Sequence, residues 1–419
     1  MKLKLFLLIT LFSVVNLTAQ VTAVQPFGSG TEIDPYQITS FENLFWISDL
    51  AASASDIQDR NAAHYIQLND IDASESQTIA NGFNPIGKFS DGGFSGSYNG
   101  QGFAIDSLSI DRDANNTAFI GLIDSGSVEN LNFTNAVVES NSNNIAVLAA
   151  SLTNSGSIIS SSVSSSTITV TGTSIGNIAA LVGTIDNATI SDSYVEGTTV
   201  TATGANRVGG LVGRMINNAS ITTSYVVNTD ITGNSDVGGF VGLVSGGEIN
   251  NSYARGNVNG VTNTGGFAGS ITGGLIDKSY AANTVTASDT NEDPAGFANQ
   301  TGTNLVTNSF YDSDVTSTDN SDATGETTAN MTQESIFITA GWDFVCETTN
   351  GTEDIWSIST GVNNTYPNLN GEEDLFIKAV QPQGDGSTLN PYLITSLANL
   401  YWITITPSSW DANFEQIND

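Results

Sequence analysis

The sequence predicts an all-β chain wound into a right-handed parallel β-helix of coils about 27–32 residues long, with a small N-terminal helical cap. Three observations predict it. Between residues 118 and 311 one pattern recurs: an Ile or Val, two polar residues, Ser, often Tyr, a Thr/Asn-rich stretch, then Gly-Leu/Phe-x-Gly. Its opening aliphatic falls at Val128, Ile158, Ile190, Ile221, Ile249, Ile276 and Val306, at spacings of 30, 32, 31, 28, 27 and 30. Such self-similarity is the mark of a solenoid or propeller. Each copy also holds three short stretches, clearest in Ser193 to Gly213, in which apolar residues alternate with polar or small ones. That period of two is expected of strands with one buried face. Stacking equivalent strands one coil apart makes the sheets parallel, and right-handed crossovers are the rule. A propeller blade needs about 40–45 residues, and a leucine-rich repeat needs Leu-x-x-Leu-x-Leu; neither pattern is present.

The elements follow in order. Lys2 and Lys4, the apolar run Leu5 to Val15 and the small-residue site Leu17-Thr18-Ala19 read as an export signal over residues 1–19, with Ala23 as an alternative cleavage point. The run is shorter than the roughly 20 residues that span a bilayer. Residues 23–95 are expected to form the cap: "TSFENLFWISDL" carries Thr39 and, three residues on, Glu42, a capping-box spacing ahead of Phe41, Leu44, Phe45 and Trp46. Coils are expected over 96–311 and a closing segment over 312–370. The stretch Ala379 to Thr404 repeats Ala23 to Ser48 at 15 of 26 positions, so 379–419 is read as the start of a second module, with Thr395 retained and Ala398 in place of the glutamate. Coils come in series because fixing one costs roughly 1–2 kcal/mol per residue in backbone entropy. Its four or five inward aliphatics return only about 1.5–3 kcal/mol each, so stability requires stacking.

Composition narrows the function. With 10 Lys+Arg against 43 Asp+Glu and a net charge of −33, nucleic acid and anionic membrane are not expected partners. Cys346 is the one cysteine, so no intramolecular disulfide is possible, and none follows the signal to carry an N-terminal lipid. No transmembrane segment is expected.

The tetrads "GLVG" (Gly210–Gly213), "GFVG" (Gly239–Gly242), "GFAG" (Gly266–Gly269), "ALVG" (Ala180–Gly183) and "AFIG" (Ala118–Gly121) resemble the GLUG motif of bacterial surface proteins. "GSYNGQGFAIDSLSI" (Gly96–Ile110) is similar to the coil that precedes such repeats; "MTQESIFITAGWDF" (Met331–Phe344), "IWSI" (Ile355–Ile358) and "YPNL" (Tyr366–Leu369) are similar to the segment that closes them. The resemblance spans about residues 23–370 and then restarts. It implies a secreted or cell-surface protein, often adhesin-like and sometimes a protease that cleaves immunoglobulin. The signal's ending "NLTAQ" resembles those of Bacteroidota, which implies attachment through a C-terminal region not contained in these residues.

No catalytic residue is assigned. His64 is the one histidine, with no second to complete HExxH or a zinc set, and no nucleophile elbow accompanies it. Arg207, Arg214, Arg255 and Lys278 fall at different places in their coils, so they are not expected to form the basic column of a polysaccharide lyase. The ligand-binding candidates are Tyr194, Tyr225, Tyr253, Tyr280 and Phe310, which recur at one outward position in successive coils. Aromatics about 4.8 Å apart can make a platform for sugar rings, or a ladder that stabilises the stack or packs under a loop. Thr167 and Thr169, Thr199 and Thr201, Thr284 and Thr286 form a second column, interrupted by Asp230 with Thr232 and by Asn257 with Asn259. Regular Thr-x-Thr arrays can bind ice. The loops "YDSDVTSTDNSD" (Tyr311–Asp322) and "NDIDAS" (Asn69–Ser74) offer carboxylates to calcium but lack the EF-hand pattern. No cofactor is expected beyond that. The function expected is an adhesin or stalk presenting a repetitive face to extracellular glycan or protein; the alternatives are a glycan lyase or glycosidase and an ice-binding face.

Overall fold

The computed structural model describes residues 21–49, 51–289, 294–359, 362–370, 382–388, 390–394, 399–400, 402–403 and 409–416. The signal segment 1–19, Thr395 and Ala398 lie outside them. The described chain is a parallel β-solenoid. Strands Tyr36–Ile38, His64–Gln67, Ser97–Asn99, Ser127–Glu129, Ser157–Ile159, Thr189–Ser191, Ser220–Thr222, Val241–Asn250, Ala268–Asp277 and Val306–Thr307 pair in parallel, each with the next. Nine steps at the strand spacing make a rod about 43 Å long. Val128, Ile158, Ile190, Ile221, Ile249, Ile276 and Val306 stand in register along this sheet, as their spacing predicts, and all are buried. A second long sheet and the four strands Ile175–Ala179, Ala205–Gly209, Ser235–Gly238 and Thr262–Gly265 complete the wall. Phe240 and Phe267, the second residues of their tetrads, and Phe297, at the equivalent place one coil on, stack inside it at 4.7 and 4.9 Å.

The corners explain the composition. At one, Asn130, Ser160, Asp192, Thr223, Asn251, Lys278 and Asn308 all have φ between 43° and 52°; at the next, Ser107, Asn135, Ser165, Gly197 and Asn228 have φ between 50° and 59°. Asn, Asp and Gly tolerate the left-handed region best, so a chain that turns this often is rich in them.

The repeated serine has its own role. Ser161, Ser193, Ser224, Ser252, Ser279 and Ser309 are buried at one corner. Each hydroxyl donates to the carbonyl two residues back, as Ser224 Oγ does to Thr222 O at 2.8 Å. It also accepts from a backbone N–H one coil earlier, as Ser224 Oγ does from Ser193 at 3.3 Å. The hydroxyl thus satisfies backbone groups that the turn removes from the ladder. Ser224→Ala strands the Ser193 N–H and is expected to cost about 1–3 kcal/mol, the penalty for an unpaired buried polar group. Urea unfolding checks this; a loss within error of wild type would refute the assignment.

The expected cap is corrected in two respects. Residues 23–95 contribute two rungs of the continuous sheet, so the stack starts at Tyr36 and not at Gly96. The first helix, Phe41–Ile47, is capped by Ser40 with an extended backbone and no side-chain capping bond. Thr39 instead donates from its N–H and its hydroxyl to Asn43 Oδ1, both at 3.1 Å, which holds it one residue outside the helix. A true capping box joins Ser53 and Asp56 at the head of the second helix, Ala54–Asn61. Phe41, Leu44 and Ile47 nonetheless pack into the core, covering the first coil as the sequence suggests.

The described residues between 383 and 402 repeat the local geometry of residues 27–46. Antiparallel bridges Phe27 to Gln37 and Thr31 to Asp34 recur as Gln383 to Leu393 and Ser387 to Asn390. Tyr36 meets Trp46 at 5.2 Å and 70°, and Tyr392 meets Trp402 at 5.2 Å and 66°.

Candidate functional site

Four surfaces follow from this stack, and the first is the aromatic column. The backbone places Val195 and Val226 in the interior, so alternation turns Tyr194 and Tyr225 outward. Tyr194, Tyr225, Tyr253 and Tyr280 stack face to face at 4.9, 5.1 and 5.0 Å, within 5° of parallel. Of the two readings the sequence leaves open for this column, the burial of its rings fits a ladder packed under a covering segment and not an open sugar platform. Tyr225 is 4% exposed, Tyr253 and Tyr280 0%, and Phe310 6%.

The cover is the closing segment, which does not simply end the array but straps its side. Helices Thr328–Met331 and Glu334–Thr339 and the short antiparallel pair Trp356–Ser357 with Asn368–Leu369 bring Met331, Phe337, Trp342, Phe344, Trp356 and Tyr366 onto the rings, forming a second apolar core outside the coil. Polar groups fasten it. Trp342 Nε1 donates to Asn308 O at 2.7 Å, Tyr280 Oη to Pro367 O at 2.6 Å, and Arg255 Nη1 to Asn363 O at 3.0 Å. The Arg255 guanidinium lies 4.7 Å above the Tyr366 ring. Tyr366 Oη donates to Asp312 Oδ2 at 2.5 Å, and burial together with that carboxylate pushes the phenol up to about 12. Tyr194 alone of the five is not fully covered and remains half-buried.

The threonine column is open. Thr167, Thr199, Asp230, Asn257 and Thr284 stand in register, exposed at every coil, beside Thr169, Thr201, Thr232, Asn259 and Thr286. Where the threonines are interrupted the side chains bond to one another: Asn257 Nδ2 donates to Asp230 Oδ1 at 2.7 Å, and Thr286 Oγ1 to Asn259 Oδ1 at 2.5 Å.

That pairing is general, and sequence reading missed it. An amide one coil on donates to a carboxylate at Asp106 from Asn135 (2.7 Å), at Asp124 from Asn154 (2.7 Å), at Asp186 from Asn217 (2.5 Å) and at Asp277 from Asn308 (2.8 Å). The signal was present in the recurrence of Asp and Asn about 30 residues apart. The Thr134 hydroxyl, then the Asn135 amide and Ser107, hold the Asp106 carboxyl below its usual range. Part of the acidic surface is therefore a set of acceptors within the ladder.

The acidic loop behaves the same way. Asp312 accepts from Thr328 Oγ1 at 2.7 Å and from Tyr366, Asp319 from the N–H groups of Phe297 and Ala298 at 2.8 and 3.0 Å, and Asp322 from Gln300 at 2.6 Å. Among the described residues no three His, Cys, Asp or Glu side chains are grouped as metal ligands. His64 Nδ1 lies 2.7 Å from Ser97 Oγ, one coil away.

An open groove of about 620 Å³ beside the cap is lined by Tyr36, Trp46, Asp56, Asp59 and Arg60. The Arg60 guanidinium sits 4.0 Å from the Trp46 ring centre, so one stacking face is already occupied. Arg207, Arg214 and Arg255 stand opposite no basic residue in register, but Arg207 and Arg214 of one coil flank the same Gly-Gly-Leu corner, between Ala205–Gly209 and Val212–Ile216.

The tetrads also acquire a reason. A Cβ on Gly213 would lie 2.6 Å from Asn177 C, on Gly242 2.5 Å from Arg207 C, and on Gly269 2.2 Å from Asp236 C. In each coil the last glycine rests on the backbone of the coil before.

These features define a repeat protein wound into a parallel β-solenoid that contains a GLUG motif. The family model described as "The GLUG motif" matches residues 233–259, one coil of the stack. Over 176 residues, 40% of the chain, the sequence is 37% identical to Halomucin of Haloquadratum walsbyi, of which the chain spans only 2%. A solved structure from Bacteroides ovatus, described as a candidate immunoglobulin A1 protease, superposes with a TM-score of 0.53 and 16% identity over 82% of this chain and 94% of that one. At that identity the likeness is one of fold. Among the described residues no helix is long and apolar enough to cross a membrane.

Proposed function

We propose that this chain is a secreted or cell-surface stalk that presents its open polar column to extracellular glycan or protein. The observation that carries the reading is the in-register row Thr167, Thr199, Asp230, Asn257 and Thr284, which offers one exposed polar group per coil while the aromatic row is shut under its strap. Repetition at the strand spacing lets many weak contacts act together, so that avidity exceeds any single contact by orders of magnitude. The likeness to Halomucin and the GLUG coil support a surface role. The same row gives the ice-binding reading less support, because Asp230 with Thr232 and Asn257 with Asn259 break the regular Thr-x-Thr array.

The test is retention of the full chain on a glycan array and on mucin-coated surfaces. A triple variant, Thr199→Ala, Asp230→Ala and Asn257→Ala, changes exposed side chains only and is expected to lose retention at least tenfold with its circular dichroism unchanged. Equal retention by the variant, or release of reducing or unsaturated sugar by the wild type, would count against a stalk.

A further inference from the structure

The structure assigns an anion-binding site to the corner formed by Arg207 and Arg214, which takes a single oxyanion, a carboxylate or a sulfate ester, carried on an otherwise neutral ligand.

Arg207 occupies a slot that the rest of the stack fills with short amides or acids. Its equivalents are Asn116, Asn144, Asn177, Asp236 and Asn263, and all six have φ between 48° and 67°. Asn and Asp suit that left-handed backbone, whereas a long cation breaks the local rule. In the other coils the slot is a polar ladder: Asn144 Nδ2 donates to Asn116 Oδ1 and Asn177 Nδ2 to Asn144 Oδ1, both at 2.7 Å, and Asn263 Nδ2 to Asp236 Oδ1 at 2.9 Å. At Arg207 the ladder stops.

The neighbouring positions are adapted to the arginine. Gly176, one coil back, pairs with Asn206 in a column otherwise filled by Asn143, Asn206, Ser235 and Thr262. A Cβ there would stand 2.8 Å from Arg207 Nη2 and 3.2 Å from its Nε, so the missing side chain is where the guanidinium lies. Arg214 replaces the residue that would have closed the ladder. One coil earlier Thr184, its partner in register, donates from its hydroxyl to Asn144 Oδ1 at 3.1 Å. With arginine at 214, Asn177 Oδ1 is left buried without a partner, and so are Arg207 Nε and Arg214 Nε.

Two cations are thus held at one corner, and neither makes an ion pair or hydrogen bond to a described residue. Burial, and then the neighbouring Arg214 charge, push the Arg207 guanidinium below its usual range. Asp236, one coil on, offsets part of this charge but is engaged by Asn263. Half-buried cations whose counter-charge is only partly available are costly, and guanidinium forks match planar or tetrahedral oxyanions. An incoming oxyanion accepts from the terminal Nη–H groups, which unlike both Nε atoms are not enclosed, and removes the like-charge repulsion. The net charge of −33 opposes a densely charged polymer. A lone anionic group on a neutral sugar chain fits better. The site itself does not depend on the stalk reading; only the idea that a glycan carries the anion does.

The experiment is a nitrogen-15 titration of the full chain that follows the Arg207 and Arg214 Nε–H signals. The probes are sodium sulfate and sodium glucuronate, with sodium chloride at matched ionic strength and glucose as controls. Saturable shifts with sulfate, glucuronate or both are expected, and whichever probe binds tells a sulfate ester from a uronate as the source. Arg207→Gln and Arg214→Gln should each weaken binding at least tenfold while keeping the backbone spectrum. Shifts no larger than those with chloride, or unchanged affinity in both variants, would overturn the site. Loss of glycan retention in the triple variant above, with sulfate binding intact, would separate the two readings.

Discussion

Replacing Trp342 by alanine is expected to destabilise the closing segment by about 3–5 kcal/mol, the usual cost of deleting a buried tryptophan. The side chain is fully buried, 4.4 Å from the Trp356 ring and 4.7 Å from Phe337, and its Nε1 donates to Asn308 O. Truncation removes the centre of the outer core, but the inner one does not use it: Val226 and Ala254 belong to the separate cluster inside the coil. Near-ultraviolet circular dichroism and proteolysis within residues 328–370 should therefore change while the far-ultraviolet β signal persists. Trp342→Phe should recover most of the loss. Loss of both signals together would show that the strap and the solenoid fold as one unit. Release of the strap would also expose Tyr225, Tyr253 and Tyr280, so the same variant tests whether the aromatic ladder binds sugar once uncovered.

Gly269→Ala is expected to cost at least the upper end of the roughly 1–3 kcal/mol typical of overpacking. Removing glycine ordinarily stabilises a chain by about 0.4–1 kcal/mol through the unfolded state. Here the new methyl would stand 2.2 Å from Asp236 C and 2.4 Å from Val237 N, and both obstacles are backbone. Rotamer change cannot relieve that contact, so the two coils must part. In a stack stabilised mainly by neighbours, the damage is local to that interface. Hydrogen exchange should accelerate in Ser235–Gly238 and Ala268–Asp277 and leave the strands before Ile190 protected. Uniform protection at wild-type levels would show that the glycine is dispensable.

Much of the fold was legible because it follows from period. The aliphatic column from Val128 to Val306, the outward turn of Tyr194 and its equivalents, and the register between coils all depend on alternation and repeat length, which the sequence displays directly. The capping residue was misplaced by one position because Thr39, Ser40 and Asn43 offer several hydroxyl and amide partners, and their competition is settled only in space. The serine ladder was visible as recurrence, while its role was hidden: a buried hydroxyl bridging two coils is a relation between residues about 30 apart.

By itself the sequence determined a stacked parallel solenoid, its acidic composition and the recurrence of the stretch 23–48 at 379–404, since each of these is a statement about pattern or composition. Tertiary structure alone decided which outward row is available. The closing segment's tryptophans and Phe337 come to rest on the tyrosines because the rod offers them an aromatic stripe to bury, and this covers the expected binding row while leaving the threonine row open. It alone also brought Arg207 and Arg214 to one corner, since the tight Gly-Gly-Leu turn folds back two side chains that local periodicity assigns to separate strands.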